Sequence, residues 1–168
     1  MTKLWRAVTG DERRVCLAVV IAINLGLMLY TGQSTLRDFP NSGDEYAQYI
    51  SALIFSEGKL SVPSPVPKDW FTFVHTINDG KFYSKYAPGW PLFLAAGIAA
   101  HVPWLMNPIF GSLTLLALYR IARRHYSVRA ANLAVLCTLG NPFLIFNSAS
   151  YFTHPSCLFF LCLPSGPA

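Results

Sequence analysis

Charge is what this sequence has least of, and it is missing in a pattern. Charged residues make up 12% against 53% hydrophobic ones, and the mean hydropathy is +0.38. A soluble domain carries about a quarter charged residues. The stretches Val15–Gly32 and Ala130–Ala149 contain no Asp, Glu, Lys or Arg, which counts against a transporter or channel, whose pathway wants ionisable groups within its crossings. No HExxH, GxSxG or glycine-rich phosphate loop is present, so a soluble hydrolase has no support. The four cysteines, Cys16, Cys137, Cys157 and Cys162, fall in apolar runs without metal-ligand spacing. They read as small buried hydrophobes. The long polar loop holds none, and no disulfide framework is implied.

The charges that are present cluster. Lys3, Arg6, Arg13 and Arg14 precede the first apolar run, and Arg120, Arg123, Arg124 and Arg129 fall in one short segment. The pI near 9.2 therefore reflects anchoring beside a membrane rather than nucleic-acid binding.

Val15–Gly32 approaches the ~20 residues of a spanning helix. With no small-x-small cleavage site after Tyr30, it is expected to be an uncleaved helix with a cytoplasmic N-terminus. Residues 33–87 form an extracytoplasmic loop. Pro88–Trp104 is apolar but short and broken by Pro at both ends, and reads as interfacial or as a short crossing; the positive-inside rule favours the former, since that keeps the arginine segment in the cytoplasm. Leu105–Ala122 and Ala130–Ala149 are then the next crossings, and residues 156–163 a further helix cut short by Pro164, as by truncation or a lost reading frame. The expected fold class is all-α: multi-pass transmembrane helices with an extracytoplasmic loop carrying amphipathic juxtamembrane helices.

Within the loop, Tyr46, Tyr49, Ile50, Leu53 and Ile54 follow helical spacing, so a surface helix with that face on the membrane is expected, stopped by Gly58. Pro63, Pro65 and Pro67 favour extended backbone. Asn78-Asp79-Gly80 suits a turn between strands at Trp70–Ile77 and Lys81–Tyr86.

Four motifs stand in order: FPNSGDEYAQY after the first apolar run, DGKFYSKYAPGWPLFLAAG before the second, LYRIARRHYS at a cytoplasmic turn, and SASYFTHP at a helix end. In them the chain resembles the polytopic type C glycosyltransferases, especially bacterial protein mannosyltransferases and aminoarabinose transferases. The likeness covers nearly all of this chain but only the N-terminal part of a typical member, so these 168 residues alone are not expected to be active. It implies an inner-membrane enzyme that takes a sugar from a polyprenyl-phosphate donor to a glycan, lipid or protein acceptor outside the cytoplasm. Asp44 matches the family's general base, with Glu45 beside it. Where relatives often read Lys-Pro-Pro or Tyr-Pro-Pro, this chain has Tyr86-Ala87-Pro88 after Lys85; where some have Asp, it has His154.

Such a transfer needs a base for the acceptor hydroxyl and positive charge for the departing phosphate. Asp44 would supply the first, and Lys85, Tyr86, Arg37 and His154 are candidates for the second. No cofactor is demanded, although Asp44, Glu45 and His154 have the chemistry to hold a divalent metal ion. Plainer readings stand beside these. Ser42-Gly43-Asp44-Glu45 is a capping box, Lys85 and Tyr86 suit the headgroup level, and His154 before Pro155 suits a helix break. A non-catalytic membrane subunit, a scaffold or a decayed gene product would account for the same motifs. His75 and His101 are isolated and carry no assignment.

Overall fold

The computed structural model describes residues 17–163. The basic N-terminus, Val15, Cys16 and the Pro164–Ala168 ending lie outside the described residues. The structure is mostly helical, 66% helix against 6% strand.

The first helix, α1 (Leu17–Thr35), ends in a π-helical turn over Thr31–Thr35. Arg37 and Asp38 then take left-handed backbone angles, with φ of 56° and 49°. The Asn41 side chain donates to the carbonyls of Leu36 and Phe39, satisfying acceptors that a helix end leaves bare. A stripe of Val19, Ile23, Leu27 and Tyr30 is exposed along α1.

Ser42 caps α2 (Gly43–Ser56), its hydroxyl accepting from the Glu45 N–H at 3.3 Å. Gly58, with φ of +72°, stops the helix as its position in the sequence suggests. The face that packs inside the protein lies beside the bulky one expected to meet the membrane. Tyr46 and Leu53 are exposed, while Ala47, Gln48, Ser51 and Ala52 are buried against the next helix and the sheet. Small side chains let two backbones approach, so the small-residue face turns inward. The bulky residues sit at the edges, Tyr46 against Phe39 and Phe73, and Tyr49 against Tyr151.

The loop departs from an all-α fold. It carries a three-stranded antiparallel sheet of order β1-β3-β2, from β1 (Val62–Pro63), β2 (Thr76–Asp79) and β3 (Lys81–Ser84). The Asp-Gly hairpin forms with Asn78 opposite Phe82 and Gly80 at its tip. Trp70 and Phe71 belong to a 3-10 turn over Lys68–Phe71 rather than to a strand. Pro63, which has no N–H to donate, lies in the two-residue edge strand.

Helix α3 (Gly89–Ala99) is 11 residues long. That gives about 16 Å, roughly half of a bilayer's hydrocarbon core. A 3-10 turn over Pro103–Leu105 leads into α4 (Met106–His125), and Pro103–His125 forms a 23-residue apolar helical unit. Arg123, Arg124 and His125 close its last turn, where cations suit the helix dipole. Among the described residues two helices, Leu17–Thr35 and Pro103–His125, are long and apolar enough to cross a membrane.

The stretch expected as one crossing at Ala130–Ala149 is two helices, α5 (Val128–Leu136) and α6 (Pro142–Ala149). Gly140 has φ of +70°, Asn141 caps α6 through the Leu144 N–H, and Pro142 occupies the first turn. That stop, cap and proline start end one helix and begin another. The last helix, α7, is His154–Cys162. Cys137 and Cys157 are exposed and Cys162 half-buried, all as free thiols, which corrects their reading as core residues.

Helix α4 contacts α5, α6 and α7. It touches α6 closely at Gly111, where an added Cβ would meet the Ser148 Oγ at 2.5 Å and the Met28 Cε of α1 at 3.1 Å. One apolar cluster joins Val20, Tyr119, Ala122, Ala131 and Val135. The other, Ala52, Trp90, Leu94, Ala95, Phe110 and Tyr151, holds the loop to the helices.

Candidate functional site

Asp44 lies in the first turn of α2, with its side chain 46% exposed. Its Oδ1 accepts the phenol of Tyr86 and lies 3.2 Å from His75 Nδ1. Tyr86 Oη and His75 Nδ1 are 2.9 Å apart, and the two rings stack at 5.7 Å. The hairpin positions this pair. Thr76 pairs with Ser84, the His75 carbonyl accepts the Lys85 N–H at 3.0 Å, and Tyr86 follows next. Gly43 makes room, since a Cβ there would stand 3.0 Å from His75 Cδ2.

Donation to Asp44, partial desolvation and the negative charge of Asp44 push the Tyr86 phenol up to about 12 from its ordinary 10.0. It therefore stays a protonated donor at neutral pH. Asp44 thus has one oxygen oriented by Tyr86 and His75 and a side chain open to solvent, the arrangement a general base needs.

Glu45 does something different. It is 1% exposed. Its Oε2 accepts the Asn41 N–H at 2.8 Å and its Oε1 accepts the Tyr151 N–H at 2.9 Å. The capping box is thus shifted by one residue, since the carboxylate reaches past the Ser42 N–H to Asn41. Backbone donors engage both oxygens, so Glu45 fixes the start of α2 and ties it to the break between α6 and α7. That break is held by side chains throughout: Trp90 Nε1 donates to the Tyr151 carbonyl at 2.8 Å, and Asn107 Nδ2 to the carbonyls of Ser150 and Phe152. The Tyr151 hydroxyl donates to the Asp38 carbonyl. Burial, followed by the proximity of Tyr49, Asp38 and Glu45, pushes the Tyr151 phenol far above its usual range, and burial also raises the Asp38 carboxyl.

The other expected residues are dispersed. Lys85 is adjacent in sequence to the cluster, but its Nζ donates to the Val74 carbonyl at 2.7 Å. Arg37 is exposed at the end of α1 and has no hydrogen bond or ion pair among the described residues. His154 is exposed at the start of α7, tilted against Phe152, and lines a ≈ 200 Å³ cavity with Thr114, Asn147 and Ser148. Glu45 lines another, of ≈ 270 Å³, with Asn41, Phe146, Asn147 and Phe152. Asn147 lines both. Among the described residues no three His, Cys, Asp or Glu side chains converge as metal ligands, and Asp44, Glu45 and His154 do not assemble into one set.

His75 is the residue that sequence reasoning missed. Its signal was in the hairpin: with Gly80 at the tip, residue 75 falls opposite residue 85 and next to Tyr86. Comparison with protein-family models, with curated proteins and with solved structures finds no match for this chain.

Proposed function

We propose that the chain belongs to an inverting membrane glycosyltransferase that takes a sugar from a polyprenyl-phosphate donor to an acceptor hydroxyl outside the cytoplasm. Asp44 is the general base. The observation that carries this reading is the half-exposed Asp44 carboxylate, oriented by Tyr86 and His75 at the start of a helix whose next residue is clamped on both oxygens. Support also comes from its place on a loop between two helices long and apolar enough to cross a bilayer.

In this reading Asp44 takes the acceptor proton as the hydroxyl oxygen forms its bond to the anomeric carbon. The bond from that carbon to the phosphate oxygen breaks, and the lipid phosphate leaves with the electron pair. Phosphate needs no protonation to depart, so one carboxylate suffices. Tyr86 and His75 orient the base and keep it from rotating away. Lys85 meets the phosphate after exchanging its bond to the Val74 carbonyl, with Arg37 as a second cation. The chain is multi-pass with its N-terminus in the cytoplasm, so that residues 33–87 and Ser150–Pro155 share the outer face.

The test is transfer in membranes supplied with a radiolabelled polyprenyl-phosphate sugar, using a full-length version that carries this chain as its N-terminal part and the Asp44→Asn variant of it. Loss of transfer with unchanged membrane insertion supports the assignment. Wild-type transfer by Asp44→Asn would overturn it.

A further inference from the structure

We infer that the two cavities that share Asn147 form one trough for a glycolipid, a lipid whose uncharged headgroup is rich in hydroxyls. The upper cavity, of ≈ 270 Å³, is lined by Asn41, Ser42, Glu45, Phe146 and Phe152. The lower, of ≈ 200 Å³, lies between α4, α6 and α7 and is mainly apolar, with Leu115, Leu118, Phe143, Leu144 and Leu158 on its walls. Their depths follow from α4. Asn107, in its first turn, donates to the carbonyls of Ser150 and Phe152, two residues of the upper cavity, so that cavity lies level with the end of α4 remote from the arginines. Thr114 and Leu118 border the lower cavity and stand about 10–16 Å further along the helix, a depth that matches the ~15 Å of one leaflet's hydrocarbon. Phe143, Phe146 and Leu158 are 68%, 48% and 44% exposed, so the trough opens sideways, toward lipid.

Hydrogen bonding says which headgroup. The Asn41 Nδ2 donates to the Leu36 and Phe39 carbonyls, and the Asn147 Nδ2 donates to the Phe143 carbonyl. These bonds fix both amides and leave both Oδ1 atoms unpartnered among the described residues. With the Glu45 carboxylate beside them, the upper cavity presents acceptors, and no Lys or Arg lines either cavity. Acceptors match hydroxyl donors, whereas a phosphate would meet the negative charge of Glu45. His154, in the lower cavity, is the one lining group that takes a proton near neutral pH. The polar head and the chain of one molecule are thus served by adjoining cavities. This inference rests on α4 crossing the membrane and is independent of the chemistry at Asp44.

The experiment is native mass spectrometry of the full chain released from nanodiscs of phosphatidylcholine and phosphatidylglycerol that contain a minor share of glucosyl diacylglycerol. One retained glucosyl diacylglycerol is expected, and plain diacylglycerol at the same share should be retained at least about fivefold less, the effect of losing one neutral hydrogen bond. Asn147→Leu, which removes an acceptor at similar volume, should weaken retention by about the same factor. Leu118→Trp, which fills the lower cavity and leaves the acceptors alone, should weaken it as well. Leu161→Trp, at a position 75% exposed and outside both cavities, should retain the lipid. Equal retention of the sugar-bearing and plain lipids would show that the head is not read and overturn the proposal. Preference for phosphatidylglycerol would overturn it too, as would unchanged retention in either Asn147→Leu or Leu118→Trp. Displacement by methyl glucoside would reduce the trough to a sugar site and refute the lower cavity's part. If either variant fails to insert, the comparison of the two lipids on the unaltered chain decides. Loss of transferase activity in Asp44→Asn leaves each of these results untouched.

Discussion

The Glu45 carboxylate accepts the backbone N–H of Tyr151 at 2.9 Å, across 106 residues of chain. Its other oxygen holds the Asn41 N–H. One buried side chain thereby joins the first turn of the loop helix to the unwound segment between α6 and α7, and the residue before it, Asp44, inherits a fixed position. The two acids are adjacent in sequence, but they point to opposite sides of the helix start, one to solvent and one to the core.

Glu45→Gln should destabilise the protein by about 1–3 kcal/mol, because the amide turns one acceptor into a donor facing a backbone N–H. Asp44→Asn, at an exposed position, should change stability by roughly 0.5 kcal/mol or less. Thermal unfolding in detergent, followed by the fluorescence of tryptophan, of which Trp90 is 4% exposed in the fold, separates the two. Equal melting temperatures for both variants would mean that the Glu45 clamp carries no weight.

The Tyr86 phenol should titrate near 12 rather than near its ordinary 10.0. Its folded value is raised, so whatever stability it contributes is present below about pH 10 and fades as pH rises through 12. Tyrosinate absorbance provides the readout. The difference between wild type and Tyr86→Phe should show one tyrosine ionising late, and Asp44→Asn should return it toward 10.

If His75 orients the base, His75→Ala should lower transfer by about tenfold while leaving the acceptor concentration for half-maximal rate unchanged, the size expected of one misaligned hydrogen bond. A His75→Ala protein with full activity would show that the stacked ring only packs.

Gly111→Leu should cost about 1–3 kcal/mol, the penalty of overpacking, because even a Cβ meets Ser148 and Met28. Gly26→Ala, where no atom lies within 4 Å of an added Cβ, should be tolerated. Relative yields of monodisperse protein after extraction would rank the two.

Cysteine labelling of intact cells tests the topology. In a background without native cysteines, a Cys at Val66, which is 91% exposed, should react with an impermeant maleimide, and one at Tyr126, 80% exposed, should not. Labelling of both would place the arginine segment outside and make Gly89–Ala99 part of a crossing.

Much of the architecture was legible in the chain. Apolar length marked Val15–Gly32 and Leu105–Ala122, which overlap the helices at Leu17–Thr35 and Pro103–His125, Ser42 and Gly58 bounded α2, and Asp79-Gly80 marked the hairpin, because each signal is local and acts through backbone geometry or capping. The break at Gly140–Pro142 was also written locally, but uniform hydrophobicity on both sides masked it. Tertiary packing decided the rest. Periodicity marked the Tyr46 and Leu53 face of α2 for the membrane surface; that Ala47, Ser51 and Ala52 form the face packed within the protein depends on α3, a partner about 40 residues away. The division of labour between Asp44 and Glu45 has the same origin. The sequence placed both carboxylates at the site, Asp44 as the base and Glu45 beside it or as a cap; the Tyr151 N–H from far along the chain engages Glu45 in the core, and His75 and Tyr86, brought together by the hairpin, orient Asp44.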